Sequence, residues 1–314
     1  MQSLLNPYYL QIGMFVAINA VLGVSIYLTL ATGQLSLGNA GFMSIGAYTS
    51  AILTTKMGWP VYLTIPTGGL VAVLVSLIIG FPALRLKGLY LAIATLGFGE
   101  VVRVIFLNLK ITNGALGISG IPSLSVLLGK LIGPWGLADG FAGASLQQIS
   151  SFLVMMFLLV FLGVILFFTH RLSLSRVGRA FAAIKADETA AEAMGINTTY
   201  FKLLAFALGA FFAGVAGGFS AHVTYYIGPG DFDYHRTVEI LIFAVLGGSN
   251  LVWGPVLGAL LLTLLPELLR AASDYRMMIY GVILVVMMAF RPQGLLSEET
   301  VRFWRAKLGR RASG

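Results

Sequence analysis

The amino-acid sequence contains no cysteine and only three histidines among its 314 residues. The lack of thiols excludes a disulfide framework, an iron–sulfur cluster and a cysteine nucleophile. Three scattered histidines give little basis for a metal site, and the sequence shows neither a nucleophile–base pair nor paired carboxylates. A phosphate-binding loop of the form G-x-x-x-x-G-K-[ST] is also absent, so the chain cannot itself hydrolyse ATP. We therefore predict a protein that is not an enzyme, with no catalytic residues, no cofactor and no metal.

Charged residues are scarce as well. They make up 10% of the chain, whereas hydrophobic residues make up 58% and the mean hydropathy is +0.91, far from the balance of a soluble domain. A membrane-spanning helix needs about 20 mostly apolar residues. Runs of that length, or nearly so, lie at 8–31, 40–56, 60–84, 88–107, 149–169, 201–219, 236–249, 253–270 and 276–290. The sequence thus predicts an all-α, polytopic membrane helix bundle of about nine spans, with a range of about eight to ten.

Lysine and arginine are unevenly distributed, and this distribution predicts the orientation. The first 55 residues contain neither, whereas five lie within residues 170–202 and six within residues 291–314. The positive-inside rule places both basic segments in the cytoplasm and the N-terminus outside. Residues 108–148 and 220–235 then lie outside the cell membrane, the former as an irregular loop rich in Gly, Ser and Pro.

The chain is therefore expected to comprise one membrane domain, residues 1–290, and a basic cytoplasmic tail, residues 291–314. Within the membrane domain, a cytoplasmic loop at 171–200 separates the first five predicted spans from the last four.

The cytoplasmic loop carries the signals of two short helices. Ser175 and Asp187 are suitable N-cap residues, and Gly195 is suited to end the second helix. Phe181 and Ile184 project from one side of the first helix, and we expect them to be exposed for a cytoplasmic partner. A basic loop held on anionic lipid headgroups is an equally good interpretation.

Small residues recur every four positions in two apolar runs. Gly209, Ala213 and Gly217 form one row, Ala210, Gly214 and Gly218 form a second, and Gly254 and Gly258 repeat the spacing. Such rows let helix backbones approach closely, so we interpret them as packing positions.

A polar interruption separates the first two apolar runs. The segment GQLSLGNAG, residues 33–41, contains a set of polar residues and glycines: Gly33, Gln34, Ser36, Gly38, Asn39 and Gly41. Polar groups inside a membrane usually face a cavity, a pore or another helix, and glycines permit a broken helix. The segment is therefore a candidate lining of a solute path, and a plain turn between two spans is the alternative.

Two charged pairs lie within predicted spans. Glu100 and Arg103 are three residues apart, as are Glu267 and Arg270, so each pair can form within one helix near a membrane end. Such groups are functional candidates by default, but paired positions near a helix end favour a structural role.

Four segments, in the same order along the chain, resemble the LivM-type permeases of branched-chain amino acid ABC importers. They are GQLSLGNAGFMSIGAYTSAIL, GRAFAAIKADETAAEAMGINTTYFKLLAFALGAFFAGVAGG, EILIFAVLGGSNLVWGPVLGA and FRPQGLL. In the cytoplasmic loop, Glu192, Ala193 and Gly195 match the core of the motif that resembles the family's EAA loop.

The resemblance implies a type II ABC importer-like subunit of a bacterial-type inner membrane, with a cytoplasmic C-terminus. Its implied partners are a second, LivH-like permease, two cytoplasmic ABC ATPases, an external substrate-binding protein and membrane lipid, and no nucleic acid. The loop would seat in the ATPase through its coupling residues Phe181, Ile184, Asp187, Glu192, Ala193 and Gly195. A stand-alone secondary transporter or channel, a structural membrane anchor, and an importer of urea, amides or other amino acids are the alternatives.

Overall fold

A computed structural model describes residues 6–132, 146–248 and 251–268, together with residues 278, 281, 282 and 285. Nearly all of the described chain is helical. The helices are α1 Pro7–Leu30, α2 Asn39–Met57, α3 Val61–Ala83, α4 Leu89–Asn108, α5 Leu124–Ile132, α6 Leu146–Leu174, α7 Arg176–Ala186, α8 Glu188–Ala193, α9 Thr198–Thr224, α10 Tyr234–Gly247 and α11 Gly254–Leu268. Two short strands, β1 Ile118–Ser119 and β2 Tyr226–Ile227, and three 3-10 turns are the other elements among the described residues.

The described residues contain five helices that are long and apolar enough to cross a membrane, namely α1, α3, α4, α6 from Gln147, and α9. Helix α2 has 19 residues, whereas α10 and the described part of α11 have 14 and 15. The multi-pass, all-helical character is thus confirmed, whereas the count of about nine spans stays a prediction. Most of the run at 276–290, the Glu267–Arg270 pair and the tail at 291–314 fall outside the described side chains.

Helix α9 lies at the centre and packs against α1, α2 and α3. A Cβ atom built on Gly217 would collide with the carbonyl oxygen of Met43 in α2, and one built on Gly209 would lie 2.8 Å from the carbonyl oxygen of Ser25 in α1. A Cβ atom on Gly46 of α2 would collide with the carbonyl oxygen of Gly214 in α9, and one on Gly214 would lie 2.8 Å from the Cβ atom of Ala72 in α3. Because these backbones touch, side chains at these positions would force the helices apart.

Helices α10 and α11 form a second close pair. A Cβ atom on Gly258 would collide with the carbonyl oxygen of Phe243, and one on Gly254 with that of Gly248. In α9, Ala213 of the first predicted row of small residues is fully buried as well, at 0% exposure.

The two segments that the sequence places outside the membrane are joined at one end of the bundle. Strand β1 pairs antiparallel with β2, with Ile118 opposite Ile227. The predicted irregular loop at 108–148 was wrong in part, because residues 124–132 form helix α5. Its apolar residues follow a helical spacing and pack on α6, a signal that the surrounding glycines obscured.

Candidate functional site

The loop at 171–200 folds as the caps predict. The Ser175 hydroxyl accepts hydrogen bonds from the backbone amides of Val177 and Gly178 at the start of α7. The Asp187 carboxylate accepts one from the amide of Ala190 at the start of α8, with a distance of 3.0 Å. Gly195 follows α8 with φ of +80°, a left-handed conformation that side chains with a Cβ disfavour. The two helices and their limits are therefore confirmed.

The exposed side of the loop differs from the prediction. Phe181 and Ile184 were expected to be exposed, and this was wrong, because they are 3% and 4% exposed. Phe181 packs edge-on against Phe201 of α9, with ring centroids 6.3 Å apart. The side that a partner could contact is instead the tip around α8, where Glu192 and Ala193 are exposed and Met194 is 83% exposed.

Ion pairs fasten the loop to the membrane helices. Glu188 of α8 pairs with Lys202 of α9 and with Lys87 of the α3–α4 turn, the latter at 3.3 Å. Burial favours the neutral acid, but the hydrogen bonds and charges of Lys202 and Lys87 prevail and lower the pKa of Glu188 below its ordinary value. Glu192 accepts a hydrogen bond from the Thr198 hydroxyl at 2.6 Å. The loop is thus linked to two separate elements and can transmit a displacement to both.

The polar interruption lies beside this loop. A Cβ atom on Gly33 would contact the Cα atom of Lys185 in α7 at 3.5 Å. Gln34 is buried, and neither polar atom of its amide has a hydrogen-bond partner among the described residues. The structure therefore brings residues 33–34 together with the loop at 171–200, an adjacency that the sequence did not indicate.

The rest of the interruption is packed inside the chain. The Asn39 amide donates a hydrogen bond to the Ser25 hydroxyl of α1 at 2.7 Å, and the Ser36 hydroxyl accepts one from the backbone of Gly38. Residues 38 and 41 adjoin α4, where a Cβ atom on Gly41 would lie 2.9 Å from the Cα atom of Gly99. Residues 36–41 thus join α1, α2 and α4.

Helix α4 presents an open face that carries charge. The Glu100 carboxylate accepts a hydrogen bond from Arg103 Nε at 2.8 Å, and their side chains are 50% and 26% exposed. Glu100 precedes the C-terminal end of α4 by about 12 Å, at a rise of about 1.5 Å per residue. A Cβ atom on Gly97, one turn earlier, would meet nothing within 4 Å among the described residues. This face is suited to contact water or protein, because a lipid-facing ion pair at that depth is costly.

The structure also contains a polar cluster that the sequence did not predict. Asn19, in the middle of α1, accepts a hydrogen bond from Arg236 Nη2 at 2.7 Å and donates one to the Thr263 hydroxyl at 2.9 Å. Arg236 also pairs with Glu239 within α10, at 2.6 Å. The only available signal was a lone asparagine inside the first apolar run. The cluster ties α1 to α10 and α11.

A third cluster lies near the β1–β2 end. His222 is fully buried, with Nδ1 located 2.7 Å from the carbonyl oxygen of Pro122 and Nε2 located 2.9 Å from the Ser50 hydroxyl. The carbonyl can only accept, so Nδ1 carries a proton and donates to Pro122. This histidine links α9 and α2 to the segment before α5.

A cavity of about 620 Å³ lies between α3, α5, α6 and α9. Its walls are apolar side chains, among them Ile65, Leu127, Phe161 and Phe219. A zwitterionic solute needs several hydrogen-bond donors for its carboxylate, and among the side chains lining this cavity the Tyr62 hydroxyl is the one such donor. Acyl chains suit the cavity better than such a solute.

Residues 8–288 match the family described as branched-chain amino acid transport system / permease component. The high-affinity branched-chain amino acid transport system permease protein LivM of Salmonella typhimurium strain LT2 is 38% identical over 287 residues, which cover 89% of this chain and 66% of that protein. For LivM of Escherichia coli strain K12 the identity is 38% over 301 residues, which cover 93% of this chain and 68% of that protein.

LivH of Escherichia coli strain K12, described as a permease protein of the same transport system, is more distant. It is 25% identical over 294 residues, which cover 86% of this chain and 87% of LivH. This chain thus spans about two thirds of the length of the two LivM proteins but most of LivH. No solved structure matches the chain.

Proposed function

This chain belongs to the family of branched-chain amino acid transport system permease components, and we propose that it is a membrane subunit of an ATP-driven importer. The solute class proposed is branched-chain amino acids, as the names of its relatives state for those proteins. In this proposal ATP hydrolysis resides in two cytoplasmic ABC ATPases. A second, LivH-like permease supplies the other half of the path, and an external binding protein delivers the solute.

The proposed architecture is that of a type II importer subunit with about nine spans in a bacterial-type inner membrane. Residues 1–290 form the membrane domain, and the basic tail at 291–314 lies in the cytoplasm. The clustering of lysine and arginine at 170–202 and 291–314 supports this orientation.

The loop at 171–200 is the proposed contact with an ATPase. The observation that carries this proposal is the loop's construction: two capped helices with an exposed tip, tied by Glu188 to both α9 and the α3–α4 turn. A push on the tip would reach α4 through Lys87 and α9 through Lys202. Rigid displacement of packed helices is a common basis of switching between two states.

The solute path is proposed to run along the open face of α4. This face has space at Gly97 and a hydrogen-bonded charged pair at Glu100 and Arg103. Gln34, Ser36 and Asn39 are proposed to adjoin the cytoplasmic end of the path. Because all three are buried in the described arrangement, they would contact solute only after the helices around them rearrange.

Reconstitution tests the proposal. Proteoliposomes containing this chain, the second permease, both ATPases and the binding protein should take up leucine only with ATP, and the chain alone should not. A Glu192→Ala/Gly195→Val variant should reduce uptake about tenfold or more while ATP hydrolysis continues. Gly230→Val, on the opposite side of the bundle where a Cβ atom meets nothing within 4 Å, is the matched control. Normal uptake by the loop variant would contradict the coupling role.

A stand-alone secondary transporter is the second candidate, and Glu100 is the observation that favours it. A carboxylate within a span is the kind of group that couples transport to protons or sodium. The isolated chain would then show ion-driven flux that Glu100→Gln abolishes. Competition of leucine uptake by urea, short amides and other amino acids would separate the remaining solute classes.

A further inference from the structure

A gap in the packing lies between two of the spans, towards the β1–β2 end of the bundle. Helix α3 packs on α9, α6 packs on α1, and the cavity of about 620 Å³ lies between α3 and α6. Helix α5, which packs on α6, supplies a further wall through Leu124, Leu127 and Leu128. No residue proposed for coupling or for the solute path is among the described residues that line this cavity. The transport function therefore leaves it unexplained.

The cavity opens onto the outer surface of the helix bundle. Tyr62 of α3 and Phe157 of α6 line it, and both side chains are exposed. The surface beside them is apolar as well, because Leu63 on α3 and Val160 on α6 are exposed. Three of the lining helices, α3, α6 and α9, are long and apolar enough to cross a membrane. In a bilayer the cavity is therefore continuous with the lipid tails.

The size of the cavity fits a flexible hydrocarbon chain. Phe211, Val215 and Phe219 follow one another at four-residue spacing along the α9 wall, which is about 12 Å long at a rise of about 1.5 Å per residue. A helix about 10 Å wide would need roughly 900 Å³ over that length, which is more than the cavity provides. A methylene group takes up about as much space as a water molecule, roughly 30 Å³, so there is room for about twenty of them. This is the scale of an acyl chain and exceeds that of any amino-acid side chain.

The walls are suited to bind hydrocarbon and no particular headgroup. None of the described lining residues is charged, so the apolar walls at Ile65, Phe161 and Phe219 gain from burial against another apolar group. Trp59, next to the lining residue Pro60, and Tyr62 are both exposed at one end of the cavity. Exposed tryptophan and tyrosine are typical of the level at which lipid headgroups lie. A lipid would therefore enter from this end, chain first.

We propose that the cavity between α3, α5, α6 and α9 binds an acyl chain of a membrane phospholipid, whose headgroup lies at the level of Trp59 and Tyr62. The bound chain braces α3 against α6 and supports the α5 wall. The proposal goes beyond the transport function and requires only that the protein lies in a membrane.

Native mass spectrometry of the purified full chain, titrated with phosphatidylcholine, tests the proposal. The wild-type chain should retain the lipid, whereas Val215→Phe should bind it about 15-fold more weakly. The larger side chain excludes about two methylene groups from the cavity, and each contributes about fourfold to binding. Val164→Phe makes the same exchange at an exposed position of α6 that does not line the cavity, and it should leave retention unchanged. Equal retention by all three proteins would overturn the proposal.

Thermal unfolding in detergent gives a second measurement. Added phosphatidylcholine should raise the Tm of the wild-type chain and of Val164→Phe, because a ligand that binds only the folded state stabilises it. It should raise the Tm of Val215→Phe much less. Leu127→Trp fills the cavity from the partly exposed helix α5 and should behave in the same way, so the test holds even where Val215→Phe does not fold. An equal rise in Tm for the cavity variants and the control would contradict the site.

Lipids that differ in one part at a time distinguish the chain from the headgroup. Phosphatidylglycerol and single-chain lysophosphatidylcholine should be retained about as well as phosphatidylcholine of the same chain length. Dihexanoyl phosphatidylcholine should be retained much more weakly, because its short chains bury fewer methylene groups. Retention that follows the headgroup and not the chain length would overturn the proposal.

Two other occupants would give different results. Displacement of the bound lipid by leucine would assign the cavity to solute. Residues 133–145 connect α5 to α6 and include Trp135 and Phe141. If these side chains filled the cavity, Trp135→Ala/Phe141→Ala would raise lipid retention about tenfold or more above that of the wild-type chain. Either result would overturn the lipid assignment, and neither measurement involves uptake, so the importer assignment is tested separately.

Discussion

Helices α9 and α4 are both apolar and long enough to span a membrane, yet the chain uses them differently. In the most apolar stretch of α9, 72% of residues are buried, compared with 28% in α4. Glycines of α9 touch the backbones of α1 and α2, whereas Gly97 of α4 meets nothing nearby among the described residues. Close backbone approach stabilises the side of the bundle around α9, whereas the described residues leave most of α4 uncovered.

The largest expected effect tests this contrast with one substitution at two positions. Gly217→Leu should abolish or strongly reduce the yield of folded protein, because its Cβ would collide with the Met43 carbonyl and α2 would have to move. Gly97→Leu should fold normally. Thermal unfolding of the two purified variants compares their stabilities. Equal stability would contradict the contrast between the packed α9 and the open α4.

Polar contacts should also stabilise the packed side of the bundle more than the open face of α4. Asn19→Ala removes a hydrogen bond from Arg236 and another to Thr263 within the packed side. We expect a loss of about 2 kcal/mol in unfolding free energy, since hydrogen bonds to charged groups contribute about 1.5–3 kcal/mol. Asn108→Ala, at the exposed end of α4, is the control and should cost much less. A similar loss for both would show that burial is not the deciding factor.

The charged pair on α4 should affect transport more than stability. Glu100→Leu/Arg103→Leu removes both partners of an exposed pair, so unfolding should change by less than about 1 kcal/mol. Uptake by the assembled importer should fall about tenfold or more if this face lines the path. Strong destabilisation with normal uptake per folded molecule would assign the pair to structure instead.

The smallest effect concerns the loop between the two sides. Because the pKa of Glu188 is lowered in the folded chain, its ion pairs contribute to folding stability at pH values above the ordinary pKa. This contribution is lost as the pH falls through the lowered pKa. The contribution should be no more than about 1 kcal/mol. The protection of the backbone amides of residues 176–193 against hydrogen exchange, measured relative to the intrinsic exchange rate at each pH, should therefore fall at acidic pH in the wild-type chain. Glu188→Gln should show lower protection at neutral pH and lose this pH dependence.

Local signals predicted the loop well but not its orientation. Ser175, Asp187 and Gly195 act through backbone atoms within a few residues of themselves, so their roles are legible from the sequence. Whether Phe181 points outward or towards Phe201 depends on α9, whose position no local pattern specifies. The inward direction therefore had to come from the structure.

The sequence by itself determined that this is a membrane protein, that it contains long helices and which family it belongs to. Hydropathy, capping residues and motifs are local features, so they can be recognised along the chain. The tertiary structure decided which helix face is buried and which polar residues meet. Lipid tails and helix interiors are equally apolar, so hydropathy cannot distinguish the packed side of α9 from the open side of α4. Contacts such as Asn19 with Arg236, 217 positions apart, arise only when the helices assemble.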